Sequence, residues 1–143
     1  MMYLLDTDVV AELRKVRLGK ADPNVAVWSA TAPVGTLYLS AVTILELETG
    51  VVGMERRDAA QGRVLRAWLE DHVLPAFDGR VLPIDTAVAR RCAPLHVPNP
   101  LAEFDALIAA TALVHSMTVV TRNVADFVAT GVALLNPWQP RTS

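Results

Sequence analysis

The sequence is poor in the residues that build disulfide and zinc sites. It contains one cysteine, Cys92, and three histidines that are scattered along the chain, His72, His96 and His115. A single thiol excludes an internal disulfide and a zinc knuckle, and the spacing of the histidines gives no metal-binding cluster. This composition favours a reducing cytoplasm as the location of the protein.

The sequence also lacks an excess of positive charge. Its 13 lysine and arginine residues are set against 15 aspartate and glutamate residues, which gives a net charge of -2 at pH 7. The pI is near 5.9. This balance argues against nucleic-acid affinity through bulk charge, so any such contact must be local.

No segment has the pattern of a leader peptide or a membrane anchor. The chain reaches Asp6 without a basic start or a long apolar run, so secretion is not expected. The longest uncharged stretch runs from Pro23 to Leu45, but Pro33 and Gly35 interrupt it. We therefore expect this stretch to form protein core and predict no membrane association.

The chain does have the pattern of a single buried core. It has 143 residues, 52% of them hydrophobic, and a mean hydropathy of +0.34, which predicts one domain over residues 1–143. Short apolar runs alternate with longer helical patterns, which is typical of an α/β fold with helices on both faces of a parallel sheet. The predicted strands are Tyr3–Leu5, Leu37–Leu39, Val81–Ile84, Thr118–Val120 and Ala133–Leu135. The predicted helices are Val9–Arg14, Pro23–Ser29, Val42–Val52, Asp58–Val73, Ala87–Leu95 and Leu101–His115.

Two acidic residues follow the first predicted strand, at the carboxyl edge where ligands bind in such sheets. Asp6 comes directly after Tyr3–Leu5, and Thr7 and Asp8 follow it at the start of a helical pattern. Either aspartate can act as the N-cap of that helix, because one short acidic side chain is enough to accept from its free N–H groups. Asp6 is therefore a candidate site residue, with Thr7 and Asp8 in support.

A glutamate follows the second predicted strand. Helical spacing aligns Glu46 with Thr43, Gly50 and Gly53, and the two glycines predict a close backbone approach on that side. Glu46 is then expected on a packed or concave side, whereas Glu48 lies on another line and is expected to be solvated. The alternative is that Glu46 is an ordinary surface acid of an amphipathic helix.

Two more acids follow later elements. Asp105 lies in a segment that is otherwise almost entirely apolar, and a buried carboxylate is costly unless it is paired or bound to metal. If Asn99 caps this helix, Asp105 lies too far inside it to be the cap; if the helix starts later, Asp105 itself is the cap. Asp126 follows Thr118–Val120 in a polar turn and can also be a plain loop residue.

Taken together, these four acids predict a metal site. At an effective dielectric constant near 20, two carboxylates about 5 Å apart repel each other by roughly 3 kcal/mol. A cluster of them favours divalent cations, and oxygen ligands without histidine or thiolate favour Mg²⁺ or Mn²⁺ over zinc. Such a site is suited to the hydrolysis of phosphodiester bonds.

The chain resembles the PIN-domain ribonucleases of the VapC-like toxin group, and within it the FitB branch. The resemblance rests on the order and spacing of segments that cover nearly the whole chain. The segments are LLDTDVV from Leu4, LSAVTILELETG from Leu39, DALIAATA from Asp105, VVTRNVADF from Val119 and NPW from Asn136. It implies a PIN-like three-layer α/β/α sandwich with a central parallel sheet of four to five strands.

The resemblance also implies a role for individual residues. It assigns Asp6, Glu46, Asp105 and Asp126 to the acidic metal site, where they hold one or two ions that bind the scissile phosphate and activate water. Thr121 matches a hydroxyl residue close to that site, and Asn123 a polar residue beside it. The family commonly has asparagine at the position of Asp8, which leaves open whether Asp8 is a ligand or a cap.

The resemblance further implies the toxin of a type II toxin–antitoxin system, with RNA as the substrate. Homodimers, a larger hetero-oligomer with a cognate antitoxin, and operator DNA contacted only through that antitoxin are the expected partners. The cations from Arg14 to Lys20 follow a helix that starts at the acids, so they are the best candidates for phosphate contacts.

Two other interpretations fit part of the sequence. A haloacid-dehalogenase-like phosphatase has two acids separated by one residue, as in Asp6–Thr7–Asp8, but it also needs a downstream lysine, and this chain has only Lys15 and Lys20. The second is a catalytically weak PIN-like binding module that acts mainly within an antitoxin–DNA complex. Intact acids at all four positions argue against a decayed site, and a nuclease assay with and without metal distinguishes this binding module from an active ribonuclease.

Overall fold

A five-stranded parallel sheet forms the centre of the protein, as seen in a computed structural model that describes residues 1–140. The strands are β1 (Tyr3–Leu5), β2 (Leu37–Ser40), β3 (Val81–Leu82), β4 (Thr118–Val120) and β5 (Leu134–Leu135). They lie in the order β3-β2-β1-β4-β5, and all four pairings are parallel. The last three residues of the predicted 1–143 domain lie outside the described residues.

Helices connect the strands. They are α1 (Thr7–Arg17), α2 (Pro23–Thr31), α3 (Ala41–Arg57), α4 (Ala59–Trp68), α5 (Leu74–Ala76), α6 (Thr86–Cys92) and α7 (Glu103–His115). A π-helical turn, Leu69–Val73, joins α4 to α5, and short 3₁₀ turns lie at Val34–Thr36, Ala93–His96, Val124–Asp126 and Val128–Thr130. Within residues 1–140, no helix is long and apolar enough to cross a bilayer.

The strands place successive side chains on opposite faces of the sheet, which creates two cores. Leu5 and Val120 pack on one face with side chains of α1, α2, α3 and the π-helical turn. Leu4 and Val119 pack on the other face, chiefly with α7. The predicted three-layer α/β/α sandwich is confirmed.

Proline shortens two of the predicted elements. β3 ends at Leu82 instead of Ile84, because Pro83 has no N–H to donate to the ladder. The helix predicted to reach Leu95 is α-helical only to Cys92 and tightens into a 3₁₀ turn that contains Pro94. The segment 58–73, predicted as one helix, is α4 followed by the π-helical turn.

The strand order positions the candidate site. From β1 the chain moves outward to β2 and β3, and then returns to the opposite side of β1 for β4 and β5. The gap between the carboxyl ends of β1 and β4 is therefore the point at which the strand order reverses, where ligands bind in parallel α/β sheets. Asp6 follows β1 and Thr121 follows β4 at this point.

Candidate active site

Asp6 is fixed at the end of β1 from three directions. Its backbone N–H donates to the Val120 carbonyl at 2.9 Å. Its Oδ1 accepts from Thr7 N at 2.8 Å, and its Oδ2 accepts from the Thr121 hydroxyl at 2.8 Å. The residue is buried, with 8% of its surface exposed. Asp6 therefore serves as the N-cap of α1 and also carries its carboxylate to the strand-order reversal.

Thr7 ties α1 to α3 beside this carboxylate. Its hydroxyl donates to Glu46 Oε1 at 2.8 Å and lies 3.4 Å from the hydroxyl of the buried Thr43. Thr43 and Glu46 are one turn apart on α3, so both side chains reach the start of α1. Helical spacing aligned Thr43 with Glu46, but it did not predict the contact between Thr43 and Thr7.

The prediction of a close backbone approach at Gly50 and Gly53 was wrong. A Cβ atom built at either glycine meets no atom within 4 Å. The close approach lies instead at Gly62 on α4, where a Cβ would come within 2.5 Å of Glu55 Cα on α3. The prediction of a concave side at Glu46 holds, because a cavity of about 390 Å³ extends from Glu46 to Trp68 between α1, α3 and α4.

Asp8 is not the N-cap but lies in the first turn of α1. Its Oδ2 accepts from the backbone N–H of Arg122 at 3.0 Å, which connects α1 to the turn after β4. Its Oδ1 is buried and has no hydrogen-bond partner among the described residues. Burial, followed by the nearby charge of Asp6, raises the pKa of the Asp8 carboxyl to about 6.

Asp105 is the third residue of α7 and lies in its first turn. Of the two alternatives for the cap, Asn99 does not hold, because α7 begins at Glu103 after Ala102, which makes no side-chain capping bond. Asp105 is not the cap either. Burial raises the pKa of its carboxyl to about 6, and the charges of Asp6, Asp126 and Glu46, in that order, add to the rise.

Asp126 is carried by the turn after β4. Thr121 accepts from Asn123 N at 3.0 Å through the same hydroxyl that donates to Asp6. The Asn123 carbonyl accepts from Asp126 N at 3.0 Å and so starts the 3₁₀ turn Val124–Asp126. The side chain of Asp126 is exposed. Its charge raises the pKa of Asp6, although burial is the largest cause of that rise.

The four acids act on one another without a compensating cation. Within residues 1–140, none of the ion pairs contains one of these four acids. The pairs are Glu12 with Lys15, and Glu48, Glu55 and Glu70 with Arg66. Glu48, predicted to be solvated, is thus half-exposed and paired. The charges of Asp6, Asp126 and Glu46 all act on Asp105, so the four acids share one negative region near the strand-order reversal.

The chemistry of this set fits a hard divalent cation, since all the donors are carboxylate or hydroxyl oxygens. In the described part of the chain, however, no three acidic, histidine or cysteine side chains already surround one point at ligand distance. Both Asp6 oxygens and Glu46 Oε1 are engaged in hydrogen bonds to their neighbours. Side-chain movement would be needed to gather the four acids around one ion.

The family model described as "PIN domain" matches residues 3–131, a range that contains all four acids. The chain belongs to the PIN-domain family.

VapC ribonuclease Y4jK of Sinorhizobium fredii is 40% identical over 97% of this chain and 99% of its own length. Toxin FitB of Neisseria gonorrhoeae is 38% identical over 96% of this chain and 99% of its own. Among solved structures, FitAB bound to an IR36 DNA fragment contains a chain that is 36% identical to this one, with a TM-score of 0.88 over 99% of each chain. The predicted membership in the VapC and FitB group of PIN domains is confirmed.

Proposed function

We propose that this PIN domain is the toxin of a type II toxin–antitoxin system and a Mg²⁺- or Mn²⁺-dependent endoribonuclease. The observation that carries the proposal is the position of Asp105 beside three further acids: burial is the largest cause of its raised pKa, and the charges of Asp6, Asp126 and Glu46 add to the rise. The names of the relatives, VapC ribonuclease and toxin FitB, support it. We also propose that residues 1–143 act as one domain in a reducing cytoplasm.

In this proposal Asp6, Glu46, Asp105 and Asp126 hold the metal. A bound divalent ion supplies Lewis-acid activation of water and neutralises charge on the scissile phosphate. The Thr121 hydroxyl keeps Asp6 oriented, and the Thr7 hydroxyl does the same for Glu46. Asn123 fixes the turn that carries Asp126 through its backbone, and Asp8 holds that turn against α1. No side chain needs to form a covalent intermediate.

The haloacid-dehalogenase-like phosphatase is an alternative that the family of this chain does not support. That mechanism needs a lysine downstream of Asp6 to balance the phosphorylated aspartate. Of the two lysines, Lys15 lies 3.3 Å from Glu12, in an ion pair of α1. Membership in the PIN family removes this alternative.

We expect the purified protein to cleave single-stranded RNA in Mg²⁺ or Mn²⁺ and to lose this activity in chelator. Because activated water attacks the phosphorus, the products should carry 5'-phosphate and 3'-hydroxyl ends. End-labelled RNA resolved on a gel measures both. Cyclic phosphate ends would overturn the mechanism, and absence of cleavage under any metal condition would favour the binding-module alternative.

We further propose that a cognate antitoxin controls the site, with the toxin as a homodimer inside a larger hetero-oligomer and operator DNA contacted only through the antitoxin. The FitAB structure, in which a similar chain is found with DNA, supports this. A cationic side chain from the antitoxin would neutralise the acids much as a metal does, and a bidentate arginine is suited to this.

We expect stable production of the wild-type protein only together with this partner. Co-expression of the chain with the product of a neighbouring small gene, followed by pull-down, tests the expectation. A wild-type chain that is harmless alone and retains no neighbouring gene product would contradict it.

A further inference from the structure

Arg122 occupies a fixed position beside the candidate site. It lies between Thr121 and Asn123 in the turn after β4, and its N–H donates to Asp8 Oδ2 at 3.0 Å. Its guanidinium lies over the ring of Trp138, 5.4 Å from the ring centroid. The arginine is therefore held at its backbone by α1 and at its head group by the chain after β5.

Trp138 is itself held in place. Its N–H donates to Asn136 Oδ1 at 2.9 Å, and its carbonyl accepts from Asn24 Nδ2, on α2, at 2.8 Å. Its ring packs against the core on the α1 and α2 face of the sheet. Asn136 also reaches the Arg122 carbonyl, at 3.5 Å. The segment Asn136–Trp138 thus connects α2 to the turn that carries Asp126.

The charge of Arg122 is available to a ligand. The residue is exposed, and within residues 1–140 its guanidinium makes no ion pair with a carboxylate. Arg66, in contrast, is occupied by three glutamates. Stacking on an aromatic face leaves the N–H edges of a guanidinium free to bind phosphate oxygens in a bidentate way.

We propose that Arg122 binds a backbone phosphate of the RNA substrate next to the acidic site and that Trp138 is a positioning residue for its guanidinium. The proposal deepens the ribonuclease function proposed above and rests on it. RNA approaching the four acids meets an unfavourable negative field, and a cation at their edge offsets that field for one phosphate. Fixing the guanidinium beforehand lowers the entropy lost when the phosphate binds.

The test measures RNA binding without turnover. We would use the full chain carrying Asp105→Asn and a fluorescein-labelled single-stranded RNA, and record the dissociation constant by anisotropy over a range of salt concentrations at constant Mg²⁺. Each phosphate contact on a single strand contributes about 0.7 to the slope of log K against log salt. Adding Arg122→Gln should therefore reduce the slope by about 0.7, whereas Arg63→Gln, at an exposed position of α4, should leave it unchanged.

Trp138→Leu should cause the same loss of slope, and combining it with Arg122→Gln should cause no further loss. Trp138→Phe keeps an aromatic face and should keep the slope, which separates positioning from a general packing defect; thermal melts show whether each variant is folded.

An unchanged slope in a folded Arg122→Gln variant would overturn the proposal. Restoration of RNA binding when Arg122→Gln is added to Trp138→Leu would also overturn it. In that case the released Arg122 side chain would block RNA at the acidic site instead of binding a phosphate. Failure of the wild type to cleave RNA would count against the ribonuclease function, whatever the slopes show.

Discussion

Asp105→Asn and Glu46→Gln should each lower the rate of metal-dependent RNA cleavage by more than about a hundredfold and relieve growth arrest on expression. Removing even an outer-shell partner of a metal ligand typically costs 10- to 100-fold, and here a charged donor itself is lost. The carboxylate-to-amide changes keep the shape of each side chain, so the fold should persist. Initial rates on one RNA substrate and colony counts after induction measure the two effects.

Each of these variants has a matched control on its own helix. Glu103→Gln changes an exposed acid in the same first turn of α7 as Asp105. Glu48→Gln removes an acid of α3 whose partner, Arg66, retains two other glutamates. Both controls should stay toxic and active. If folded Asp6→Asn and Asp105→Asn variants also stayed toxic, the acids would not form the site.

Asp105→Asn should stabilise the metal-free protein at the same time. The pKa of the Asp105 carboxyl is about 6 in the folded chain, above its ordinary value of 3.8, so its ionised form opposes folding. Burial is the largest cause of this rise, and repulsion by Asp6, Asp126 and Glu46 adds to it. Asp105 is partly exposed, which weakens both effects, and its place in the first turn of α7 gives a favourable dipole interaction of about 0.3 to 1 kcal/mol. We expect a net rise of roughly 1 kcal/mol in the free energy of unfolding at pH 8.

This gain should depend on pH in a defined direction. Above pH 6 the carboxyl is ionised in the folded and the unfolded chain, and the cost of folding is present in full. The cost falls as the pH drops from about 6 towards 3.8, because the folded chain takes up the proton first. The wild type and Asp105→Asn should therefore differ in chelator at pH 8 and converge near pH 4. A variant that is less stable than the wild type at pH 8 would contradict the claim that ionised Asp105 opposes folding.

Much of the fold could be predicted because buried parallel strands leave a simple pattern. Tyr3–Leu5 and Thr118–Val120 are short apolar runs that end in a polar residue, and each is a strand of the sheet as predicted. The acid after β1 could be placed at the sheet edge for the same reason. The sequence could not decide which aspartate caps α1, because Asp6 and Asp8 have the same side chain. They differ in the backbone, which is extended at Asp6.

Contacts between distant segments gave no signal in the sequence. Thr7 and Glu46 are 39 positions apart, and Arg122 and Asp8 are 114 apart. The polar pairs that orient the site form only once the sheet has brought α1, α3 and the turn after β4 together. The start of α7 was also misplaced, because Asn99 and Pro100 have the composition of a helix start but precede it.

The central claim is that Asp6, Glu46, Asp105 and Asp126 share one metal site. Its most direct test is the shift in melting temperature between chelator and millimolar Mg²⁺, measured for the wild type and for each of the four variants neutralised to the matching amide. Ion binding to the folded state raises stability in proportion to affinity. We predict a clear shift in the wild type and a smaller one in every variant. The same shift in the wild type and in all four variants would contradict the shared site.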